Sequence, residues 1–295
     1  MSLVGFYIKS MKVRGISGTI STLIGKIIPP RINNIEMYRK AVSNNIGLEI
    51  GGPSQLFDDN GVVPVYQALQ KLDNCNFSKS TIWEGKLTEG RTFRFHKDKP
   101  LGKQFISGAI DLKGVESASY DCVLSSNTIE HVANPLKALF EWKRVIKENG
   151  HLLIVVPHLD GTFDHDRPIT PLPHIQEDYQ KNTDEDDLTH LEEILSLHDL
   201  DMDPPAGDKR TFKERSLKNF ENRCLHHHVF NTELVVRLLD HVGLQVLSVD
   251  PILPFFINVL ARKPAPTDRV NNALFLSPDA SYRKQSPFKS DRHPG

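Results

Sequence analysis

Residues Tyr120 to His158 read YDCVLSSNTIEHVANPLKALFEWKRVIKENGHLLIVVPH, and the fold turns on them. Asp121 leads a short apolar run, Cys122-Val123-Leu124, and Ser125-Ser126-Asn127 follow with turn and capping chemistry. Asn134-Pro135 opens a helix, with asparagine as N-cap and proline in the first turn. Leu136, Leu139, Phe140, Val145 and Ile146 recur at helical spacing, and Asn149-Gly150 closes the segment. His151 to Val156 then forms a nearly unbroken apolar strand, stopped by Pro157. A strand apolar on both faces belongs inside a parallel sheet covered by helices.

Upstream, Ile46-Gly47-Leu48-Glu49-Ile50-Gly51-Gly52-Pro53 is a second short strand, ending in an acid and paired glycines. Glycine permits positive φ and close approach of backbone N–H groups to a ligand. The carboxylate beside it can accept hydrogen bonds from a ligand ammonium or hydroxyl. The Gly-x-Gly-x-x-Gly pattern of dinucleotide binders is absent. Val62 to Leu72 shows apolar residues at helical spacing, with Pro64 in its first turn. Phe105 to Leu112 reads as a further strand and its end.

After residue 158 the chain inserts a polar segment, 159–225, rich in acids and histidines. Within it, Asp187 to His198 and Phe212 to Arg223 read as helices. His158, His165, His174, His190, His198 and the triplet His226-His227-His228 invite a metal reading, yet no His-x-x-x-His pair occurs and no metal site is predicted. Val229 to Glu233 lead into an amphipathic helix through Leu234, Val235, Leu238, Leu239 and Val242, capped by Gly243 and followed by strands over 244–249 and 255–261. From Pro264 onward periodicity disappears, which predicts a flexible tail over 264–295.

The quoted stretch resembles the segment from the fourth to the fifth strand of class I S-adenosylmethionine-dependent methyltransferases. The aspartate-led strand, Glu130-His131-Val132, and Arg144-Val145 before Asn149-Gly150 carry the likeness. Glu49-Ile50-Gly51 matches the family's cofactor loop about 70 residues earlier, although Gly52-Pro53-Ser54 departs from it and a later glycine is missing. The resemblance implies an α/β, Rossmann-like, doubly wound and mostly parallel seven-stranded sheet with an antiparallel last strand. It also implies S-adenosyl-L-methionine as cofactor, held by Glu49, Gly51, Gly52, Asp111, Leu112, Asn127 and Glu130. The ribose acid is Asp73 or Glu84, with Asp73 preferred on spacing. His131, His158 and His165 are the candidate catalytic groups, because the ends of parallel strands converge on one cleft.

Residues 1–35 are basic and acid-poor, either a helical arm or a segment for peripheral membrane contact or organelle targeting. Residues 36–263 form the expected catalytic domain, with 159–225 as a lid or acceptor module. The net charge of −1 gives no electrostatic reason to expect nucleic acid as partner. Three widely spaced cysteines read as unpaired thiols of a reducing compartment, hence a cytoplasmic protein. The expected activity is methyl transfer to a small-molecule or glycan acceptor. A non-catalytic relative with an altered glycine turn and a metal-dependent hydrolase built on the insertion are the alternatives.

Overall fold

The computed structural model describes Val13 and residues 30–292. Nearly all of the basic arm therefore lies outside the described residues. The sheet has ten strands' worth of chain to draw on: β1 (Ile46–Ile50), β2 (Lys71–Asn76), β3 (Ser80–Thr81), β4 (Gly85–Lys86), β5 (Gly90–Phe93), β6 (Gly102–Ile106), β7 (Tyr120–Ser126), β8 (Ile146–Pro157), β9 (Gln245–Ile252) and β10 (Phe256–Arg262). Eight of them form one sheet in the order β5-β6-β2-β1-β7-β8-β10-β9, while β3 and β4 pair separately. Strands β6, β2, β1, β7 and β8 run parallel, and β10 is antiparallel to both β8 and β9. The order reverses at β1, the topological switch point where open α/β sheets bind ligands. The eighth strand is β5, a short antiparallel edge beside β6 that the seven-strand expectation lacked.

Both faces of the sheet are covered, for the reason the apolar run of β8 already contains. Leu152, Ile154 and Val156 pack on one side with α2 (Pro135–Val145) and α7 (Thr232–His241); Leu153 and Val155 pack on the other with Tyr38 and Val42 of α1 (Ile35–Val42). Alternation within a single strand thus feeds two cores. Asn134 caps α2 as expected, accepting from Lys137 N at 3.0 Å. Asn34 sits at the start of α1, but its amide reaches across to Asp250 Oδ1 at 3.0 Å instead of capping. The helix α2 ends at Val145, four residues before Asn149-Gly150, because β8 starts at once with Ile146.

Two expectations are corrected here. The helix over 62–72 is a single 3-10 turn, Tyr66–Ala68. Val62, Val63 and Val65 are each fully buried around Pro64, and β-branched residues beside proline favour extended chain over helix. The tail is not flexible within the described residues. It forms three short helices, α8 (Ala273–Leu276), α9 (Ser281–Gln285) and α10 (Lys289–Arg292), pinned to the core by single side chains. Asp291 is buried and accepts from Thr232 N (3.1 Å), Thr232 Oγ1 (2.6 Å) and Ser286 Oγ (2.7 Å). Isolated anchors of this kind leave no periodic stripe in the sequence.

The insertion supplies α3 (Leu172–Lys181), α4 (Leu191–Leu197), α5 (Lys209–Ser216) and α6 (Asn219–Asn222). It has a small core of its own, in which Ile194, Ala206, Phe212 and Leu225 meet. The three cysteines are buried and unpaired. No helix among the described residues is long and apolar enough to cross a membrane.

Candidate active site

A cleft of about 910 Å³ opens at the carboxyl ends of β1, β2, β6 and β7, roofed by the insertion. Its two ends differ in chemistry.

The first end lies over the glycine turn. Gly51 has φ +85°, and a Cβ there would come within 2.5 Å of Thr128 Oγ1, so only glycine leaves this wall open. Gly52 is required by a different neighbour: a Cβ would meet the Glu49 carboxyl carbon at 2.1 Å. Glu49 itself is wholly buried behind the turn and does not line the cleft. It accepts from Ser54 N (3.0 Å) and lies 2.8–2.9 Å from the Tyr66 hydroxyl. The unusual Gly-Pro-Ser sequence therefore wraps the chain around its own acid. Burial pushes the Glu49 carboxyl up to about 8 despite the hydrogen bonds from Tyr66 and Ser54 that pull it down.

This burial carries a stability prediction. Between the ordinary value of 4.5 and about 8, the folded protein holds a proton that the unfolded chain has released. Stability therefore falls as pH rises through that window, by up to about 1.4 kcal/mol per pH unit, and levels off above it. Glu49→Gln removes that proton linkage while keeping an oxygen for Ser54. Chemical denaturation of the two proteins from pH 5 to pH 9 should show a shallower decline for the variant, and parallel curves would refute the assignment.

The acid expected at the end of β2 is not there. Asp73 stands inside the strand, opposite Leu48, where it accepts from Lys103 N (2.7 Å) and the Tyr120 hydroxyl (2.9 Å) and pairs with Lys71 (2.8 Å). It is consumed by the sheet. The strand runs three residues further, so Asn76 reaches the cleft in its place, and Glu84, from the β3–β4 turn, provides the carboxylate. Asp111 and Leu112 are also displaced: Asp111 projects outward with Lys113 at 3.4 Å, and Leu112 is buried in the core. Because β6 ends at Ile106, the cleft is walled by Ser107, Gly108 and Ala109 instead. Asn127, with φ +47°, does line the cleft, and its Oδ1 is buried without a partner. An unpaired buried carbonyl and a glycine wall that any side chain would close fit a ligand carrying an ammonium or hydroxyl donor.

The other end contains Trp83, Glu130, His131, Phe163 and His226. Here His226 Nδ1 meets Asp164 Oδ2 at 2.5 Å, and Asp164 is held from behind by Arg167 at 2.9 Å. Arg167 is fixed in turn by Glu193 (2.9 Å) and by the carbonyls of His226 and His227. A carboxylate only accepts, so Nδ1 carries the proton and Nε2 of the neutral ring is left as an acceptor. Burial lowers the His226 pKa, but the Asp164 charge and hydrogen bond outweigh it and the net shift is upward. Glu130 is buried, with Oε2 unpartnered, and burial lifts it to about 7 although His226 pulls it down.

His131 is in the cleft as expected, but as a wall. Its Nδ1 donates to Leu225 O (3.1 Å), its ring lies between Trp83 and His226, and burial drives its pKa down to about 3. His158 and His165 are not in the cleft. His158 is buried beneath the tail, stacked on Phe288 with ring centroids 3.9 Å apart and 3.2 Å from Asp291. His165 pairs with Asp199 at 2.8 Å and Asp166 at 3.2 Å. The residues that replace these two, Asp164 and His226, are 62 positions apart, so no local spacing announces them.

Residues 69–154 match the family model described as a methyltransferase domain. No curated protein matches the chain. Among solved structures, a SAM-dependent methyltransferase of Methanosarcina mazei is 14% identical, covering 79% of this chain and 99% of its own, with a TM-score of 0.44. One from Aquifex aeolicus is 13% identical over 82% and 98% of the two chains, with a TM-score of 0.37. An arsenic(III) S-adenosylmethionine methyltransferase of Chlamydomonas reinhardtii is 13% identical over 78% and 67%, with a TM-score of 0.40.

Proposed function

We propose that this chain, whose residues 69–154 match a methyltransferase domain, is a class I S-adenosylmethionine-dependent methyltransferase and that it methylates a hydroxyl group of a small acceptor, a free sugar or short glycan included. Gly51, Asn76, Asn127 and Thr128 would hold the cofactor with the 107–109 loop and Glu84, residues that all line one end of the cleft. S-adenosylmethionine, when bound, supplies an electrophilic methyl group there. The rest of the chemistry is alignment in a dry site and removal of one proton.

The Asp164–His226 pair carries this reading, since it is a buried imidazole with its free nitrogen at the far end of the same cleft. Asp164 fixes the ring and its tautomer, and Nε2 takes the hydroxyl proton as the oxygen becomes a nucleophile. Glu130, carrying its proton up to about pH 7, can donate to a second oxygen of the acceptor. Trp83, half exposed at the mouth, offers a flat face for a ring. The insertion contributes Phe163, Met202 and Arg223 to the roof, which supports its role as the acceptor module.

The test is transfer of label. Incubated with methyl-tritiated S-adenosylmethionine and a panel of phenols, polyols and sugars, the protein should move tritium into a small-molecule product whose methyl group survives alkali, as an ether does. Label released by alkali, or found only in macromolecules, would overturn the hydroxyl assignment.

A further inference from the structure

Behind the roof of the cleft lies a second histidine cluster that the methyl-transfer chemistry does not use. We infer that His174, Asp178, His190 and His228 form a zinc site that fastens the insertion to the catalytic sheet. One donor atom from each of the four lies within 4.8 Å of all the others. His174 and Asp178 stand four residues apart on α3, hence on one face of the helix. His190 immediately precedes α4, and His228 ends the histidine triplet ahead of α7.

The separations match tetrahedral coordination. Zinc bonds of about 2.0–2.2 Å to nitrogen and oxygen put neighbouring donors roughly 3.3–3.5 Å apart. Here His174 Nε2 and His190 Nε2 are 3.0 Å apart and His174 Nε2 and Asp178 Oδ2 are 3.4 Å apart, while His228 donates from Nε2 to Ala133 O at 3.1 Å, which leaves Nδ1 as its ligand atom. Asp178 Oδ2 is buried with no hydrogen-bond partner, whereas Oδ1 is held by Thr183 Oγ1 at 3.1 Å. The His228 ring also enters with Nδ1 buried and unpartnered. Thr183 and the Ala133 carbonyl thus orient the Asp178 carboxylate and the His228 ring but leave Oδ2 and Nδ1 unsatisfied, a costly arrangement without a cation.

Three imidazoles and one carboxylate suit zinc better than calcium or magnesium, which take oxygen ligands. Four protein ligands complete the shell, so the ion is structural. Its placement has a consequence for the cleft, because His228 lies two residues from His226. The site does not itself depend on the methyl-transfer reading.

Full-length protein, stripped by chelator and reloaded with zinc chloride, should retain about one zinc per chain after desalting. Cobalt in its place should give the intense visible absorption of a tetrahedral ion. His174→Ala/His190→Ala should lose both signals, while a wild-type far-UV circular dichroism spectrum and a cooperative melt report that the variant is folded. Should that variant not fold, Asp178→Asn, which keeps the side-chain shape, carries the same expectation. Wild type that retains no zinc, or a folded variant that retains it in full, would overturn the site. Neither result bears on methyl transfer, which the tritium assay reads separately.

Discussion

His226→Asn should lower kcat by roughly 10²–10⁴-fold, the usual contribution of a positioned general base. Asparagine can still donate to Asp164 from nearly the same place as Nδ1, so the buried carboxylate keeps a partner. What it lacks is an acceptor where Nε2 faces the cleft. KM for the acceptor and the melting shift with S-adenosylhomocysteine should therefore change little, because the cofactor end of the cleft is untouched. A variant that loses both kcat and the shift would mark His226 as structural.

The pH profile sharpens the same prediction. A base must be neutral to act, and His226 is raised above the ordinary 6.5 by Asp164 against the effect of burial. Activity should therefore climb through an acid limb that lies above pH 6.5. In Asp164→Asn the strongest upward influence is gone while burial and the Arg167 charge still pull down, so the limb should move to lower pH while the maximum falls. An unmoved limb would show that Asp164 does not control the titrating group.

Gly51→Arg should abolish cofactor binding. The position combines a left-handed φ of +85° with a Cβ contact of 2.5 Å to Thr128, and the long side chain would have only the cleft to enter. Ligand at about a hundred times its dissociation constant adds roughly 2.7 kcal/mol to a native state that binds it. For a chain of this length that is a rise in Tm of roughly 4–5 °C. Wild type should show this rise with S-adenosylhomocysteine and Gly51→Arg should not, at any concentration up to millimolar. The unliganded variant should melt a few degrees lower, since a non-glycine residue at positive φ costs roughly 1–3 kcal/mol. A preserved ligand shift would place the cofactor away from the glycine turn.

How legible the site was depends on how each residue is held. Asn127, Glu130 and His131 follow a strand directly, and the turn after β7 delivers them to the cleft as their position implies. Asp73 and Asp111 failed for a register reason. Their strands end three residues later and several residues earlier, respectively, than spacing indicated, and hydrogen-bond ladders rather than composition set those ends. His158 illustrates a third case: it does leave a strand end, but the tail caps it with Phe288 and Asp291. The signal for the zinc cluster was present as His174-x-x-x-Asp178, hidden because its other two ligands come from separate segments.

The sequence alone determined the fold class, since the period-2 pattern of β8, the Asn-Pro helix start and the acid–glycine turn are local signals that agree with one another. It also determined that the glycine turn is altered. Tertiary structure decided what that alteration does, which is to fold the backbone around Glu49, and it decided the chemistry of the far end. Burial and pairing between residues 62 positions apart give an ordinary aspartate and histidine the arrangement the proposed base requires, and neither depends on anything near them in the chain.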